Sequence, residues 1–150
     1  MNNLNLVLPE IFISISIMFL LVLGVFKKDS SKLIFNISLI VLFITLIITF
    51  NETFAINRKT LFNDSVVIDY MSSLMKIITL IATFLVLVIS SSYLKTTKIF
   101  KIEYPILILS SVLGMLIMIS SNDLIVFYMG LELQSLALYV LATFNRDKLK

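Results

Sequence analysis

The sequence predicts an all-α integral membrane protein with five transmembrane helices. Of its 150 residues, 59% are hydrophobic and 14% charged, and the mean hydropathy is +1.08. A soluble domain of this size is about 45–50% apolar and about 25% charged. Five apolar stretches approach or reach the roughly 17–25 residues that a helix needs to cross a bilayer. These properties exclude a soluble enzyme, a disordered segment and a disulfide-stapled secreted domain.

The first three helices are predicted from long apolar runs. The first, at about residues 4–26, has no Lys or Arg before the run and no small-residue cleavage site after it, which indicates a retained helix rather than a signal peptide. Pro9 lies in its first turn, where the missing N–H costs nothing. The second and third helices are predicted at about residues 33–50 and 72–94.

The fourth and fifth helices are predicted at about residues 104–120 and 124–144. The short turn Ser121-Asn122-Asp123 between them supplies an N-cap and makes them an antiparallel hairpin. Ile, Val and Phe favour strands in water, but a segment in lipid must satisfy its own backbone hydrogen bonds. Transmembrane strands would show about ten residues of alternating polarity, and none appears. Residues 1–150 therefore form a single transmembrane region.

The basic residues predict the orientation of the chain. Nine follow the first, third and fifth helices, two follow the second, and none follows the fourth. Because cytoplasmic loops carry the excess of Lys and Arg, the N-terminus is expected outside and the C-terminus in the cytoplasm. The same clustering accounts for the net charge of +3 without a nucleic-acid partner. The nine residues are Lys27, Lys28, Lys32, Lys95, Lys98, Lys101, Arg146, Lys148 and Lys150, and the two are Arg58 and Lys59.

Glu132 is the strongest candidate for a functional residue. An ionisable group inside a transmembrane helix costs about 2.5–3.5 kcal/mol to insert and is by default a functional-site hypothesis. Glu132 comes eight residues after Leu124, which places it about 12 Å along its helix, near the middle of the bilayer. Polar side chains around it recur at spacings of three and four and predict a stripe facing the bundle interior or a hydrated cavity. The polar stripe consists of Tyr128, Glu132, Ser135, Tyr139, Thr143 and Arg146.

We interpret Glu132 as a proton-relay carboxylate, because a carboxyl in such a place changes its proton occupancy when a nearby cation moves. The alternative is a Glu that only joins the fifth helix to a neighbour. Tyr128, Ser135 and Tyr139 are candidates for the lining of a polar channel, and ordinary hydrogen bonding between helices is the alternative for each.

Lys76 is a secondary candidate. Its long side chain is expected to snorkel to the outer interface, although it shares a helix face with Thr79, Thr83 and Ser90. Glu10 is expected to be a solvated carboxylate at the outer boundary. The absence of His and Cys excludes a Cys/His zinc site and ordinary haem or iron–sulfur ligation within the chain.

Several runs together resemble a known family. Leu8-Pro9-Glu10 opens the first helix, and Ser121-Asn122-Asp123-Leu124 leads into the fifth. The segment 130–141 then reads Gly-Leu-Glu-Leu-Gln-Ser-Leu-Ala-Leu-Tyr-Val-Leu, and Arg146-Asp147 follows. With these runs the whole chain resembles the N subunits of bacterial NADH–quinone oxidoreductase (respiratory complex I), counterparts of mitochondrial NADH dehydrogenase subunit 2. The run from Gly130 to Tyr139 is the most specific part.

The resemblance implies an architecture of three leading helices followed by antiporter-like inverted repeats of five. This chain would hold the leading three and the first two of one repeat. It also implies that Glu132 pairs with a lysine on a later broken helix, beyond residue 150. No cofactor is expected in this chain, since nicotinamide, flavin, iron–sulfur clusters and quinone would lie in or at other subunits. The expected partners are other membrane-arm subunits, the lipid bilayer and the remainder of its own subunit.

The implied function is that of a non-redox subunit of a translocase in the bacterial inner membrane. It would couple electron transfer from NADH to quinone with proton translocation. The sequence stops where the family continues into a sixth helix, so the chain is expected to be an amino-terminal portion that is inactive alone. Two alternatives are a subunit of an Mrp-type sodium/proton antiporter and a non-transporting membrane scaffold in which Glu132 only holds an interface together.

Overall fold

Five long helices and one small hairpin make up the fold. The computed structural model describes residues 7–26, 31–53, 58–97 and 102–143. All five helices are long and apolar enough to cross a membrane, which confirms the predicted all-α membrane fold. The segments after the first and fifth helices that carry most of the predicted cytoplasmic charges lie outside the described residues, so the orientation stays a prediction. The elements are α1 Leu8–Phe26, α2 Ser31–Thr53, β1 Lys59–Leu61, β2 Val66–Ile68, α3 Tyr70–Thr97, α4 Glu103–Ser120 and α5 Leu124–Thr143.

The helix bounds differ from the predicted ones by a few residues at most where both ends are described. α3 begins two residues early because Asp69 caps it: the Asp69 carboxylate accepts a hydrogen bond from the Ser72 N–H at 2.7 Å. The Ser72 hydroxyl in turn accepts one from the Asp69 N–H at 2.9 Å. This reciprocal arrangement satisfies two backbone donors at the start of the helix. The predicted helical residues 4–6 and Phe144 lie outside the described residues.

α4 is the central helix, because it packs against the other four. Of the apolar 18-residue stretch that forms α4, 44% is buried, whereas only 11% of the corresponding stretch of α5 is buried. The core between α1, α2, α3 and α4 is made of large aliphatic side chains, and α5 packs chiefly on α4. One side of α5 therefore has no partner among the described helices. Fully buried core residues are Ile13, Leu20, Leu42, Leu80, Leu87, Leu109 and Leu116.

α4 and α5 touch through glycines. A Cβ added to Gly114 would lie 2.7 Å from the carbonyl oxygen of Gly130, and one added to Gly130 would lie 2.9 Å from that of Gly114. The two backbones are thus in direct contact, the arrangement that small residues permit between membrane helices. The predicted antiparallel pair is confirmed. At its turn the Asp123 carboxylate caps α5 with a long 3.4 Å contact to the Ile125 N–H.

Sequence analysis missed the hairpin of β1 and β2. Its strands pair antiparallel, and the three turn residues Phe62, Asn63 and Asp64 have φ between 53° and 66°. Strands of three residues are too short to show as a pattern. The hairpin is tied to the end of α4 because the Asn122 amide donates to the Asp64 carbonyl oxygen at 2.7 Å. We call this end of the bundle, where α1 and α3 begin and α4 ends, the hairpin end.

Candidate functional site

The polar stripe of α5 lies on the outside of the described bundle. Tyr128 and Tyr139 are 60% and 67% exposed, Glu132 and Thr143 are exposed, and Ser135 is half-buried. Among these five helices the stripe does not face the interior, and that it faces a bundle interior or a hydrated cavity in a longer subunit stays a prediction. Arg146, its last predicted member, lies outside the described residues.

The reason lies in the small residues of α5. Gly130 and Ala137 are the buried residues of this helix, because they let α4 approach closely. A residue two positions away is rotated by about 200° around the helix axis, so Glu132 and Ser135 point away from α4. Close packing on one face thus leaves the polar stripe on the opposite face.

Among the described residues, the polar interactions of Glu132 lie on its own helix. The side chains of Tyr128 and Glu132, one turn apart, lie close enough to interact. The Ser135 hydroxyl donates to the Glu132 carbonyl oxygen at 3.0 Å rather than to the carboxylate. Within residues 7–26, 31–53, 58–97 and 102–143, no cation pairs with this carboxylate. The stripe is consequently a polar face that no described helix covers.

A second charged site lies inside the bundle. The Lys76 ammonium donates to Glu10 Oε1 at 2.5 Å, and the two side chains are 2% and 8% exposed. The expectations of a snorkelling Lys76 and a solvated Glu10 are both wrong. The physical reason is that α1 and α3 both begin at the hairpin end, so the two opposite charges meet between the helices instead of reaching water. The two opposite charges near the starts of helices that begin at the same end of the bundle were the feature of the sequence from which the ion pair could have been predicted.

α4 completes this site. The Ser120 hydroxyl lies 3.4 Å from Glu10 Oε1 and also donates to the Leu116 carbonyl oxygen at 3.2 Å. Glu10 Oε2 is buried and has no hydrogen-bond partner among the described residues. We call Glu10, Lys76 and Ser120 the hairpin-end cluster. It brings three helices together at one point.

The predicted polar face of α3 is mostly satisfied locally. The Thr79 and Thr83 hydroxyls donate to the carbonyl oxygens of Lys76 and Thr79, at 2.8 and 2.7 Å. Farther along, Ser90 reaches α4 and bonds the Tyr104 hydroxyl at 2.6 Å. A cavity of about 300 Å³ lies between α3, α4 and α5, and its walls are almost entirely apolar. Such a cavity does not by itself form a hydrated path.

Metal binding finds no support in the described ranges, which hold no group of three or more His, Cys, Asp or Glu side chains that could surround an ion. The polar groups of the two described sites are carboxylates, an ammonium group and hydroxyls.

Relatives of known name match the chain along its length, although no family model matches it. It is 63% identical over all 150 residues to NADH-quinone oxidoreductase subunit N of Pelagibacter ubique strain HTCC1062, covering 32% of that protein. It is 43% identical to the subunit N of Paramagnetospirillum magneticum over 94% of the chain and 29% of the relative. It is 40% identical to the subunit N of Maricaulis maris, over 99% of the chain and 31% of the relative.

The chain spans about a third of the length of the curated relatives it matches, and the match lies at their amino-terminal end. The resemblance seen in the sequence is confirmed by these matches.

Proposed function

We propose that this chain, a homologue of the amino-terminal part of NADH-quinone oxidoreductase subunit N, belongs to a membrane subunit of that proton-pumping complex. The observation that carries the proposal is the identity of 63% over the whole chain to a protein of that name. The activity would be the coupling of electron transfer from NADH to quinone with proton translocation. An antiporter without a redox partner is not favoured, because the relatives are named as oxidoreductase subunits.

In this proposal Glu132 is the proton-relay carboxylate. It lies near the middle of α5, eight residues after Leu124 and eleven before Thr143. A carboxylate facing lipid at that depth would cost about 2.5–3.5 kcal/mol. We therefore expect another protein surface, rather than lipid, to pack against the exposed polar stripe. The remainder of the subunit, which would follow residue 150, is the proposed cover and the source of the cation that pairs with Glu132.

The chemistry at Glu132 follows from that partner. While the cation is near, it stabilises the carboxylate, and when it moves away the carboxylate takes up a proton. Tyr128 is close enough to interact with the carboxylate. Ser135 and Tyr139 lie on the same face and would line the path. The isolated chain is proposed to be inactive because this pair is incomplete in it.

The proposal also includes the orientation of the chain, its membrane and its partners. The nine basic residues on one side and two on the other favour a hairpin end that faces outside, with the C-terminus in the cytoplasm. The membrane would be a bacterial inner membrane, since the named relatives are bacterial. Other membrane-arm subunits would be the protein partners. Nicotinamide, flavin, iron–sulfur clusters and quinone would be held in or at other subunits.

The experiment places Glu132→Gln in the complete complex and measures protons moved per electron in sealed vesicles, together with quinone reduction. The substitution keeps the size of the side chain and removes its ability to exchange a proton, so we expect reduced pumping or quinone reduction in an assembled complex. Glu103→Gln, at an exposed carboxylate at the start of α4, is the matched control and is expected to behave as wild type. Wild-type pumping in Glu132→Gln would overturn the proposal.

A further inference from the structure

The hairpin-end cluster is a charged site separate from the polar stripe. Glu10 is the third residue of α1, Lys76 lies in the second turn of α3, and Ser120 is the last residue of α4. Glu132 lies on α5, on the face that points away from α4. The described residues thus include two carboxylates on different helices, Glu10 and Glu132, and the proposed function uses only Glu132.

The two charges of the cluster differ in their surroundings. Lys76 is enclosed and directs its ammonium to Glu10 Oε1. Glu10 also lines a groove of about 330 Å³ between α1, α4, α5 and the hairpin. Most of the groove is apolar, and Glu10, Ser14 and Ser120 are its polar side chains. The second oxygen of Glu10, Oε2, is buried without a hydrogen-bond partner among the described residues. The carboxyl therefore has one oxygen engaged by the ammonium and one buried without a partner among the described residues, and the residue itself borders the groove.

A purely mechanical role explains this arrangement poorly. Replacing a buried ion pair by well-packed apolar residues is often neutral or stabilising, so the pair is weak evidence for a stabilising contact. An unpartnered buried oxygen adds a further desolvation cost. Ionisable groups within membrane segments are by default functional for the same reason.

We propose that Glu10 and Lys76 form a second proton-exchanging pair, which takes up and releases a proton through the groove at the hairpin end. The proposal rests on the proposed function, since it assigns the pair to the same proton translocation. It adds a site that is independent of Glu132 and of any segment beyond residue 150. The ligand is a single proton exchanged with water on the hairpin side.

The step is a proton transfer within the pair. An N–H bond of the Lys76 ammonium breaks and an O–H bond forms on the Glu10 carboxylate, which gives a neutral amine and a neutral acid without any change in total charge. The acid then gives its proton to water in the groove, which leaves a carboxylate beside a neutral amine. A proton taken up from the same water by the Glu10 carboxylate passes back to the Lys76 amine, because Lys76 is enclosed and contacts Glu10 Oε1. The total charge of the pair therefore changes only when a proton passes between Glu10 and water in the groove.

Among the described residues, no other charged side chain forms a hydrogen bond or ion pair with Glu10 or Lys76. The hairpin packed over this end carries Arg58, Lys59 and Asp64, all exposed, and Asp69 is engaged with Ser72. α4 contributes only the Ser120 hydroxyl. Across the described part of the chain, the pair is the single ion pair within 4.0 Å, so its proton exchange is attributable to these two residues.

The decisive variant is the neutral double substitution Glu10→Gln with Lys76→Met, made in the complete complex. It removes both charges and leaves no uncompensated one, so the helices are expected to assemble. The proposal predicts a lower number of protons moved per electron. An assembled double variant with the wild-type ratio overturns it. Lys59→Met with Asp64→Asn removes the same two charges at exposed hairpin positions and is expected to keep the wild-type ratio.

A second measurement does not depend on the double variant. Infrared difference spectra between the resting and turning-over complex record carboxylic acids that gain or lose a proton. The proposal predicts a carboxylic C=O band that is absent in Glu10→Gln and shifted in Glu10→Asp, which keeps the charge. If neither variant changes the spectrum, the proposal is overturned, whether or not the double variant assembles.

Glu132→Gln in the same preparation separates the two proposals. If that variant pumps less while the neutral double variant pumps normally, only the hairpin-end pair is rejected. If Glu132→Gln pumps normally, the proposed function itself is rejected.

Discussion

Gly130 of α5 lies against Gly114 of α4 so closely that each leaves no space for a Cβ on the other, with 2.7 and 2.9 Å to the facing carbonyl oxygens. The contact fixes the rotation of α5, and Glu132, two positions along, points to the opposite side. The position of the proposed relay carboxylate is therefore set by a glycine that never touches it.

Gly130→Leu is expected to push the two helices apart. The added side chain would meet backbone atoms of α4, which cannot move aside as a side chain can. Overpacking of this kind costs about 1–3 kcal/mol. The free energy of unfolding of the full-length subunit in lipid–detergent mixtures measures the loss. Ala142→Leu, at an exposed position of the same helix, is the control. Equal stability of the two variants would contradict the contact.

Because Glu10 and Lys76 form a buried ion pair, the effect of removing one charge on the free energy of unfolding is expected to depend strongly on whether the other is present. Lys76→Met alone leaves a buried carboxylate uncompensated, and removal of one partner of a buried pair costs about 3–5 kcal/mol. Addition of Glu10→Gln to that variant is expected to recover most of the loss. A double-mutant cycle on the free energy of unfolding measures the coupling. If the two losses simply add, the side chains do not form the pair seen in the structure.

The hairpin turn carries local strain that substitution can relieve. Phe62 has φ of 54° and is 64% exposed, so its ring gains little by burial while its backbone is held in the left-handed region. Phe62→Asn is expected to stabilise the hairpin by up to about 1 kcal/mol, because Asn tolerates this conformation. Slower hydrogen exchange at the Asn122 N–H, which donates to the Ser65 carbonyl oxygen at 2.9 Å, would report the gain. Thr60→Asn in β1 is the control, and faster exchange in Phe62→Asn would refute the argument.

The architecture could be predicted from the sequence because it depends on simple quantities. Apolar length gave the five helices, and the short Ser121–Asp123 turn gave the antiparallel arrangement of α4 and α5.

The details of the sites depended on relations between helices that one sequence does not show. Periodicity predicts that Tyr128, Glu132 and Tyr139 share one face of α5, but it does not predict which face packs against α4. The small residues Gly130 and Ala137 determine the packed face. A single charge near a helix end indicates solvation, which is why Lys76 and Glu10 were each expected to reach water. Only the shared end of α1 and α3 shows that each is the partner of the other.

The most direct test of the central claim, that Glu132 relays protons, is the number of protons moved per electron in the complete complex carrying Glu132→Asp or Glu132→Gln. Asp retains a carboxyl that can exchange a proton, one methylene shorter, and is predicted to keep part of the pumping. Gln cannot exchange a proton at this position and is predicted to pump less than Asp. If both variants move as many protons per electron as the wild type, Glu132 is not the relay.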